Sequence, residues 1–454
     1  QPVYTPATRS VFAQVPDASQ KQLDETVQSA HIALKTWGTT AANDRQAALE
    51  TYADLLEAHA DAFMSLLTRE QGKPRAGAEW EVLGSVAWLR AVASQRLPDE
   101  VVEDTDDRRV VTRFTPVGVV GAIVPWNFPI LLAIWKIAPA LMSGSTMILK
   151  PSPYTPLCNL KLVELAQQAF PPGVISALSG GDDLGVWMTT HPDINKIAFT
   201  GSTETGRHVM KSASATIKRV TLELGGNDPA IVLPDVDAKA LAPQLFWAAF
   251  QNNAQFCNST KRLYIHEDVY DEVRDALADF ITHHVKVGDG AEADTDLGPI
   301  QNSMQYGKVQ DYFADCHVNG YTFALGGEID EKAAGWFVPV SLVDNPPDDS
   351  RIVREEPFGP ILPLMKWSDE ADVIARANDT IYGLGASVWG KDLAAIERIG
   401  KQLEAGTVWL NEVHQYSPFQ AFGGHKQSGL GCENSLHGLM EYTNWQTITM
   451  NKVA

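Results

Sequence analysis

A cysteine and a glutamate, Cys257 and Glu223, are the two residues of this chain whose types and surroundings could do chemistry together. Cys257 stands in the polar segment 251–262, and Glu223 stands directly before Leu224 and the glycine pair 225–226. A thiolate can capture an electrophilic carbon, and a separate carboxylate can later activate water to release the captured group. The pair therefore favours covalent catalysis that ends in hydrolysis.

Each residue taken alone has a second interpretation. A single cysteine is most often a small buried hydrophobic residue, and a glutamate before glycines is often a solvated turn charge. The loop or strand at Cys257 could lead into a helix, whose amino end would lower the pKa of the thiol and offer N–H groups to an oxyanion. Glu223 follows the strand-like segment 219–222, and sites gather at the carboxyl ends of strands in α/β sheets. We therefore predict a strand end at Glu223, and we consider that a helix could start at Cys257.

Two further loops follow predicted strands. The segment 125–129 reads Pro-Trp-Asn-Phe-Pro, so two prolines hold Asn127 in a rigid loop where its amide could donate to an oxyanion. The turn 199–206 supplies glycines and hydroxyls that suit a pyrophosphate at a helix amino end, although it contains no GxGxxG pattern. The aromatic, glycine-rich loops 355–360 and 418–429 are, taken singly, more often structural than functional.

Strand-like and helix-like segments alternate along the chain. Such alternation predicts parallel, doubly wound sheets with helices on both faces, and its resumption after Glu223 predicts a second α/β domain. The polar segment 101–115 predicts a hairpin that turns at 105–107 and pairs outside these sheets. The predicted strands are 117–125, 146–151, 173–180, 194–200, 229–233 and 262–265, and the predicted helices are 18–37, 42–69, 130–142 and 156–170.

Length and composition limit the class of protein. A chain of 454 residues with 44% hydrophobic and 20% charged residues is expected to form two or three globular domains. The net charge of -20 opposes nucleic-acid binding, and it fits either ordinary solubility or a halophilic or crowded cytosol. Four widely spaced cysteines without a CxxC pair predict neither a zinc site nor a disulfide framework. Because no long apolar segment and no leader pattern occur, we expect a cytoplasmic protein that does not bind membranes.

Seven motifs follow one another over nearly the whole chain. They are PWNFP at 125–129, LKPS at 149–152, FTGST at 199–203, ELGG at 223–226, QFC at 255–257 with Arg262 after it, EEPFGP at 355–360 and FGGHKQSG at 422–429. Together they resemble the aldehyde dehydrogenase superfamily, in its hydrolytic, NAD(P)-dependent branch. The resemblance implies an α/β fold with two doubly wound parallel-sheet domains and a small β ribbon for oligomerisation.

The resemblance also implies domain boundaries. Residues 1–97 and 117–224 would form the NAD(P)-binding domain, and residues 225–428 would form the catalytic domain. Residues 98–116 and 443–454 would form bridging strands of a homodimer or homotetramer, because an exposed edge strand needs a partner. The alternative is a hairpin folded back on its own domain.

Matching positions carry over the family's roles. Cys257 would be the nucleophile, and Glu223 would activate the water that hydrolyses the thioester. The Asn127 amide and the Cys257 backbone N–H would hold the oxyanion, and Glu433 and Lys136 would form a proton path. The implied cofactor residues are Trp126, Lys150, Ser152, Pro153, Gly201, Ser202, Leu224, Gln305, Lys308, Glu356 and Phe358, and no metal is implied.

Three positions depart from the family pattern. Ala254 replaces the usual glycine of the nucleophile motif and Asn227 replaces a common lysine, and we expect neither change to matter. Pro153 stands where many NAD-specific members carry a glutamate that repels a 2′-phosphate. Because Lys150 and Ser152 offer a cation and a hydroxyl without that acid, we predict use of both NAD and NADP.

The positions that match the family's substrate tunnel are aromatic or apolar, apart from one amide. They are Phe128, Leu132, Trp135, Phe256, Asn258, Tyr416 and Phe422. Such a lining predicts aromatic or medium-chain aliphatic aldehydes, unless the rings simply pack the domain interface. A carboxylated semialdehyde would want an arginine, which 128–136 and 411–422 lack, whereas rings near Glu412 could hold betaine aldehyde.

Two other functions compete with this interpretation. A CoA-acylating semialdehyde dehydrogenase would release its thioester to CoA, and that branch typically lacks the base, so Glu223 favours hydrolysis. A non-catalytic structural protein on the same scaffold, as some lens crystallins are, would not require Cys257, Glu223 and Asn127 together.

Overall fold

The amino-terminal part of the chain forms a small hairpin, four helices and a β ribbon. A computed structural model describes residues 1–453. The elements are β1 (Pro2–Thr5), β2 (Ser10–Gln14), α1 (Gln20–Trp37), α2 (Ala42–Ala58), α3 (Ala60–Gln71), α4 (Arg75–Ala93), β3 (Glu100–Asp104) and β4 (Arg108–Pro116). The helical character predicted for 42–69 is confirmed, although the chain bends at His59 and forms two helices. Helix α4 and the β1–β2 hairpin have no counterpart in the sequence prediction.

Strands and helices then alternate, as the apolar segments predict. The elements are β5 (Val119–Ile123), α5 (Pro129–Ser143), β6 (Thr146–Lys150), α6 (Pro156–Ala166), β7 (Ile175–Ala177), α7 (Asp182–Thr190), β8 (Lys196–Thr200), α8 (Thr203–Ala213) and β9 (Arg219–Glu223). Strands β6 and β8 are buried at every position, as in a parallel sheet with helices on both faces.

A second alternating region follows Glu223. Its elements are β10 (Asp228–Val232), α9 (Ala238–Phe250), β11 (Thr260–His266), α10 (Tyr270–His284), α11 (Ser303–Val318), β12 (Phe323–Leu325), β13 (Ser341–Asp344), α12 (Arg351–Arg354), β14 (Ile361–Trp367), α13 (Glu370–Asn378), β15 (Gly385–Trp389), α14 (Leu393–Gly400) and β16 (Thr407–Leu410). They form a seven-stranded sheet in the order β12-β13-β14-β11-β10-β15-β16, parallel except for β12. Two doubly wound sheets are thus confirmed.

The carboxyl-terminal segment returns to the first half of the chain. Its elements are β17 (Gly429–Leu430), α15 (Ser435–Met440) and β18 (Thr443–Asn451). Strand β17 pairs antiparallel with β9, with Gly429 opposite Glu223, and completes a six-stranded sheet in the order β17-β9-β8-β5-β6-β7. The edge of the sheet beside Glu223 is therefore closed by residues far along the chain.

The predicted hairpin forms part of a separate three-stranded sheet. Strand β4 lies between β3 and β18, and all three are antiparallel. This sheet exposes large apolar side chains, among them Val102, Trp445 and Ile448. Within residues 1–453, no helix has the length and apolar character needed to cross a membrane.

Candidate active site

Cys257 lies in a loop that leads into a strand rather than a helix. An irregular turn at Gln251–Ala254 forms the first part of the loop, and β11 begins at Thr260. A helix start at Cys257 is therefore wrong, because the residues that follow the loop form a strand. Residues 252–254 all have positive φ, between 52° and 58°, a conformation that costs energy for residues other than glycine.

Buried amides hold this strained loop in place. The Gln255 side chain donates to the Asn252 carbonyl at 3.0 Å and accepts from the backbone N–H of Gln301 at 2.9 Å. The Asn253 amide donates to the Gly298 carbonyl at 2.9 Å. These bonds to distant parts of the chain fix the approach to Cys257, which explains why a local pattern predicts the loop incorrectly.

Glu223 and Cys257 are brought together through the glycines between their segments. Glu223 ends β9, as predicted, and a Cβ on Gly226 would lie 2.5 Å from the Cys257 carbonyl oxygen. Only glycine allows the two backbones to approach this closely. The ELGG segment therefore lies against the loop that precedes β11, residues 251–259, which we call the nucleophile loop after the role predicted for Cys257.

The carboxylate of Glu223 is buried without a hydrogen-bond partner among the described residues. Burial raises its pKa well above the ordinary value, the charge of Glu433 raises it further, and Lys136 lowers it. Lys136 donates to Glu433 at 2.6 Å and to the Thr200 hydroxyl at 2.8 Å. The two residues implied as a proton path thus form one buried pair whose charges act on Glu223.

Asn127 faces the nucleophile loop from the end of β5. Its amide Nδ2 donates to the Gln255 carbonyl at 3.0 Å, and its side-chain oxygen has no partner among the described residues. An amide nitrogen carries two hydrogens, so this bond leaves one free. The geometry suits a donor aimed at an oxygen beside Cys257.

Lys261 is a site residue that the sequence prediction missed. Its ammonium donates to the carbonyls of Phe256 at 2.9 Å and Cys257 at 2.5 Å, and it lies 3.4 Å from Glu356. Lysine is rarely buried without such partners. Lys261 thus places a positive charge against the main chain of Cys257.

Burial raises the pKa of Cys257 to about 12, while Lys261 lowers it and the carboxylates of Glu356, Glu223 and Asp228 raise it. Only the thiolate reacts with alkylating agents. In the protein without cofactor, the iodoacetamide alkylation rate of Cys257 should therefore rise about tenfold per pH unit from pH 7 to 9. Mass spectrometry of the Cys257 peptide measures the rate. Replacing Lys261 by glutamine should slow alkylation at each pH, and a rate that levels off below pH 8 would contradict the raised pKa.

The predicted cofactor residues of the first sheet lie at or just after strand ends. Lys150 ends β6, and Ser152 and Pro153 follow it. Gly201 and Ser202 follow β8, and Leu224 follows β9. Ser202 caps α8 by accepting from the Thr205 N–H, and it therefore lies at a helix amino end, where the helix dipole favours an anion.

Asp182 adds a negative charge to this cluster that the sequence prediction missed. It begins α7, and a Cβ on Gly185 of the same helix would lie 3.8 Å from the Lys150 Cε atom. Burial lowers the pKa of Lys150, and the charges of Asp182 and Asp17 raise it. The cation is therefore accompanied by carboxylates even though Pro153 supplies none.

The remaining cofactor residues cluster beside the second sheet. Trp126 and Phe358 meet edge to face at 5.4 Å, and Gln305 donates to the carbonyls of residues 357 and 358. Glu356 accepts from the Gly226 N–H at 3.1 Å, and Lys308 lies close enough to lower its pKa, which burial raises. A Cβ on Gly225 would lie 2.4 Å from the Glu356 carboxylate, so a glycine leaves room for that acid.

The predicted substrate residues form one aromatic cluster around Cys257. The ring centres of Phe128 and Phe256 lie 4.6 Å apart, and those of Trp135 and Phe422 lie 5.4 Å apart. Asn258 donates to the Tyr416 hydroxyl at 2.6 Å. Leu132, Tyr416 and Cys257 itself are partly buried against the same core.

Two members of the cluster were not predicted. His414 stacks on Tyr416, lies 4.6 Å from Phe256 and contacts the Asn258 carbonyl, and burial lowers its pKa to about 4. Trp88 stacks on Trp135 at 5.5 Å. Aromatic residues at helical spacing give no signal that distinguishes such a lining from ordinary core.

The chain is similar to known proteins both in sequence and in fold, over nearly its whole length. The family model described as "Aldehyde dehydrogenase family" matches residues 1–448. An aldehyde dehydrogenase of a Fusarium species is 40% identical over 448 residues, covering 98% of this chain and 95% of the relative. Phenylacetaldehyde dehydrogenase of Pseudomonas fluorescens is 38% identical over 467 residues, covering 99% and 92%. Betaine aldehyde dehydrogenase of Staphylococcus aureus, solved with NAD+, has a TM-score of 0.97 at 31% identity, covering 100% of this chain and 92% of that one.

Proposed function

Since the chain belongs to the aldehyde dehydrogenase family, we propose that it oxidises an aldehyde to the carboxylic acid through a covalent thioester on Cys257. The observation that carries this proposal is the meeting of three groups: the Cys257 loop, the ELGG segment of Glu223 and the Asn127 amide. The arrangement provides a nucleophile, a base and an oxyanion donor.

The residues present fit a dinucleotide. The amino end of α8 at Ser202 suits a pyrophosphate, and Glu356, with Gly225 beside it, suits a ribose. Bound NAD(P)+ would supply the hydride acceptor. We propose that residues 1–97 and 117–224 hold most of the cofactor, and that residues 225–428 supply the nucleophile.

Residues of this chain would carry out addition to the aldehyde, stabilisation of the oxyanion and hydrolysis of the thioester. The Cys257 thiolate adds to the aldehyde carbon, and the Asn127 amide and the Cys257 N–H hold the resulting oxyanion, each donor typically worth about 3 kcal/mol. After hydride loss leaves a thioester, Glu223 takes a proton from water, which attacks and frees the acid. The Lys136–Glu433 pair lies within reach of the charge of Glu223 and would pass that proton onward.

We propose aromatic or medium-chain aliphatic aldehydes as substrates. One support is the cluster of aromatic rings around Cys257. The other is that, among the described residues, this cluster contains no arginine available to a substrate. Arg262, in the nucleophile motif, already donates to the carbonyls of residues 227, 376 and 377. A carboxylated substrate would need such a cation. Glu412, which could assist betaine aldehyde, is exposed.

A rate matrix tests the function. Benzaldehyde, hexanal, betaine aldehyde and succinate semialdehyde are each oxidised with NAD+ and with NADP+, and NAD(P)H formation is followed. We expect kcat/KM for benzaldehyde or hexanal to exceed that for succinate semialdehyde by about tenfold or more, because a buried carboxylate would lack a partner. Fastest turnover of succinate semialdehyde would refute the substrate assignment.

We propose that both cofactors are used and that Asp182 limits the use of NADP. Exchange of Asp182 for asparagine should raise the kcat/KM ratio of NADP to NAD by roughly fivefold, because a carboxylate near Lys150 repels a 2′-phosphate. The neighbouring Asp183→Asn is the matched control with the same charge change, and its ratio should stay within about twofold. Equal changes of the NADP-to-NAD ratio in both variants would contradict a specific role of Asp182. A wild-type bias to NAD above about a thousandfold (~4 kcal/mol) would contradict dual use.

We propose a homodimer or homotetramer that works in the cytoplasm. The exposed apolar side chains of the three-stranded sheet support the first statement, and the four free cysteines are consistent with a reducing compartment. A monomer in light scattering would contradict the assembly.

A further inference from the structure

We propose that the buried ion pair of Lys73 and Glu81 positions Asn127 for catalysis. The inference rests on the proposed function, because it concerns the oxyanion donor of that reaction. Neither residue belongs to the motifs that mark the site. Both are almost completely buried, at 3% and 0% exposure, where an unpaired charge would be costly.

Glu81 holds the helix that follows Asn127. Helix α5 has no cap from its own side chains, and Pro129 at its start has no N–H. Glu81, which lies on α4, supplies the cap: its Oε1 accepts from the N–H groups of Ile130 at 2.8 Å and Leu131 at 3.2 Å. A carboxylate at a helix amino end also interacts favourably with the helix dipole. Glu81 therefore fixes the start of α5, two residues after Asn127.

Lys73 holds Asn127 itself. Its ammonium donates to the other Glu81 oxygen at 2.5 Å and to the Asn127 carbonyl at 2.9 Å, and it lies 3.9 Å from the centre of the Phe128 ring. The Asn252 amide donates to the same Asn127 carbonyl at 3.1 Å. Two donors thus fix this peptide, one from the α3–α4 loop and one from the nucleophile loop.

The consequence concerns the free hydrogen of the Asn127 amide. One hydrogen is engaged by the Gln255 carbonyl, so the direction of the other depends on where the main chain of Asn127 lies. A displacement of about 1 Å at such a donor can cost about a hundredfold in rate. Lys73 and Glu81 act through Asn127 and are positioning residues, since neither is placed against the reacting atoms.

A purely structural role makes a different prediction. If Lys73 and Glu81 only neutralised each other's buried charge, a variant with a neutral pair of similar shape would keep both the stability and the activity of wild type. If the pair positions Asn127, the neutral variant would fold like wild type but would form NAD(P)H more slowly. The two roles separate in a variant that removes both charges at once.

The experiment is a double-mutant cycle on the single-turnover rate of NAD(P)H formation, which precedes hydrolysis of the thioester. The neutral variant Lys73→Met/Glu81→Gln is expected to form NAD(P)H about 10- to 100-fold more slowly than wild type, with a cofactor Kd within about twofold. In the Asn127→Ala background the same pair of changes should slow the rate by less than about twofold, because the residue they act through is absent.

Two results would overturn the inference: a neutral variant with the wild-type rate, or the full slowing in the Asn127→Ala background. If the double variant does not fold, Glu81→Gln alone, which keeps an acceptor for the α5 cap, takes its place in the cycle under the same criteria. If Asn127→Ala itself has the wild-type rate, or wild type does not oxidise aldehydes, the proposed function fails instead.

Discussion

Replacement of Cys257 by alanine is expected to lower the rate of NAD(P)H formation by about 10⁴-fold or more, because no adduct forms from which hydride can leave. The fold should persist, because Lys261 bonds the main-chain carbonyls of residues 256 and 257, which the substitution keeps. Fluorescence titration should accordingly give a cofactor Kd close to that of wild type.

Cys432→Ala is the matched control. Cys432 is also half-buried with a free thiol, and burial raises its pKa to about 12 as it does for Cys257. Its loss should leave at least about half of the activity. Normal NAD(P)H production by the Cys257→Ala variant would contradict the covalent mechanism on Cys257.

Glu223→Gln is expected to separate the two halves of the reaction. Thiolate addition and hydride loss should still give a burst of about one NAD(P)H per subunit, after which turnover should fall by about 10²- to 10⁴-fold, because no base activates water. Intact-protein mass spectrometry should then find the acyl group on Cys257. The substitution keeps the shape of a side chain whose oxygens have no partner among the described residues, so the fold should tolerate it.

The pH profile gives this prediction a second readout. Because burial raises the pKa of Glu223, the carboxylate form that acts as base becomes more populated as pH rises. The deacylation rate of wild type should therefore rise toward alkaline pH. In the Glu223→Gln variant, the part of this rise that comes from ionisation of Glu223 should be absent. Recovery of turnover on addition of CoA would instead identify an acylating enzyme, and a variant without a burst would place Glu223 before hydride loss.

Sequence predicted the parts of the fold whose pattern is local. Strands such as β6 and β8 are continuous apolar runs because helices cover both faces, so their burial is visible in composition. The loop before Cys257 was not predictable, because its left-handed residues are held by bonds from Gln255 to residues 299–301, more than forty positions away. No local pattern records such a partner.

The same limit applies to the candidate site. The resemblance led to Cys257, Glu223 and Asn127 and to the pair Lys136 and Glu433, but not to Lys73 or Lys261. Lys73 and Lys261 are buried lysines whose partners come from other segments, and a charged residue in a sequence is by default assigned to the surface. Only the three-dimensional structure shows which lysines hold the main chain of a catalytic loop.

The antiparallel pairing of β17 with β9 has a consequence for the order in which the protein matures during synthesis. Strand β9, with Glu223 at its end, is made before the entire second sheet, yet its edge partner and Glu433 belong to the final segment of the chain. A nascent chain can therefore assemble most of the first sheet early, but it leaves that edge open until Gly429 and Leu430 have been made. On the proposed mechanism, the surroundings of the base Glu223 are completed only after the segment of Cys257 has been made, so hydrolysis of the thioester is the last step of the reaction to become possible.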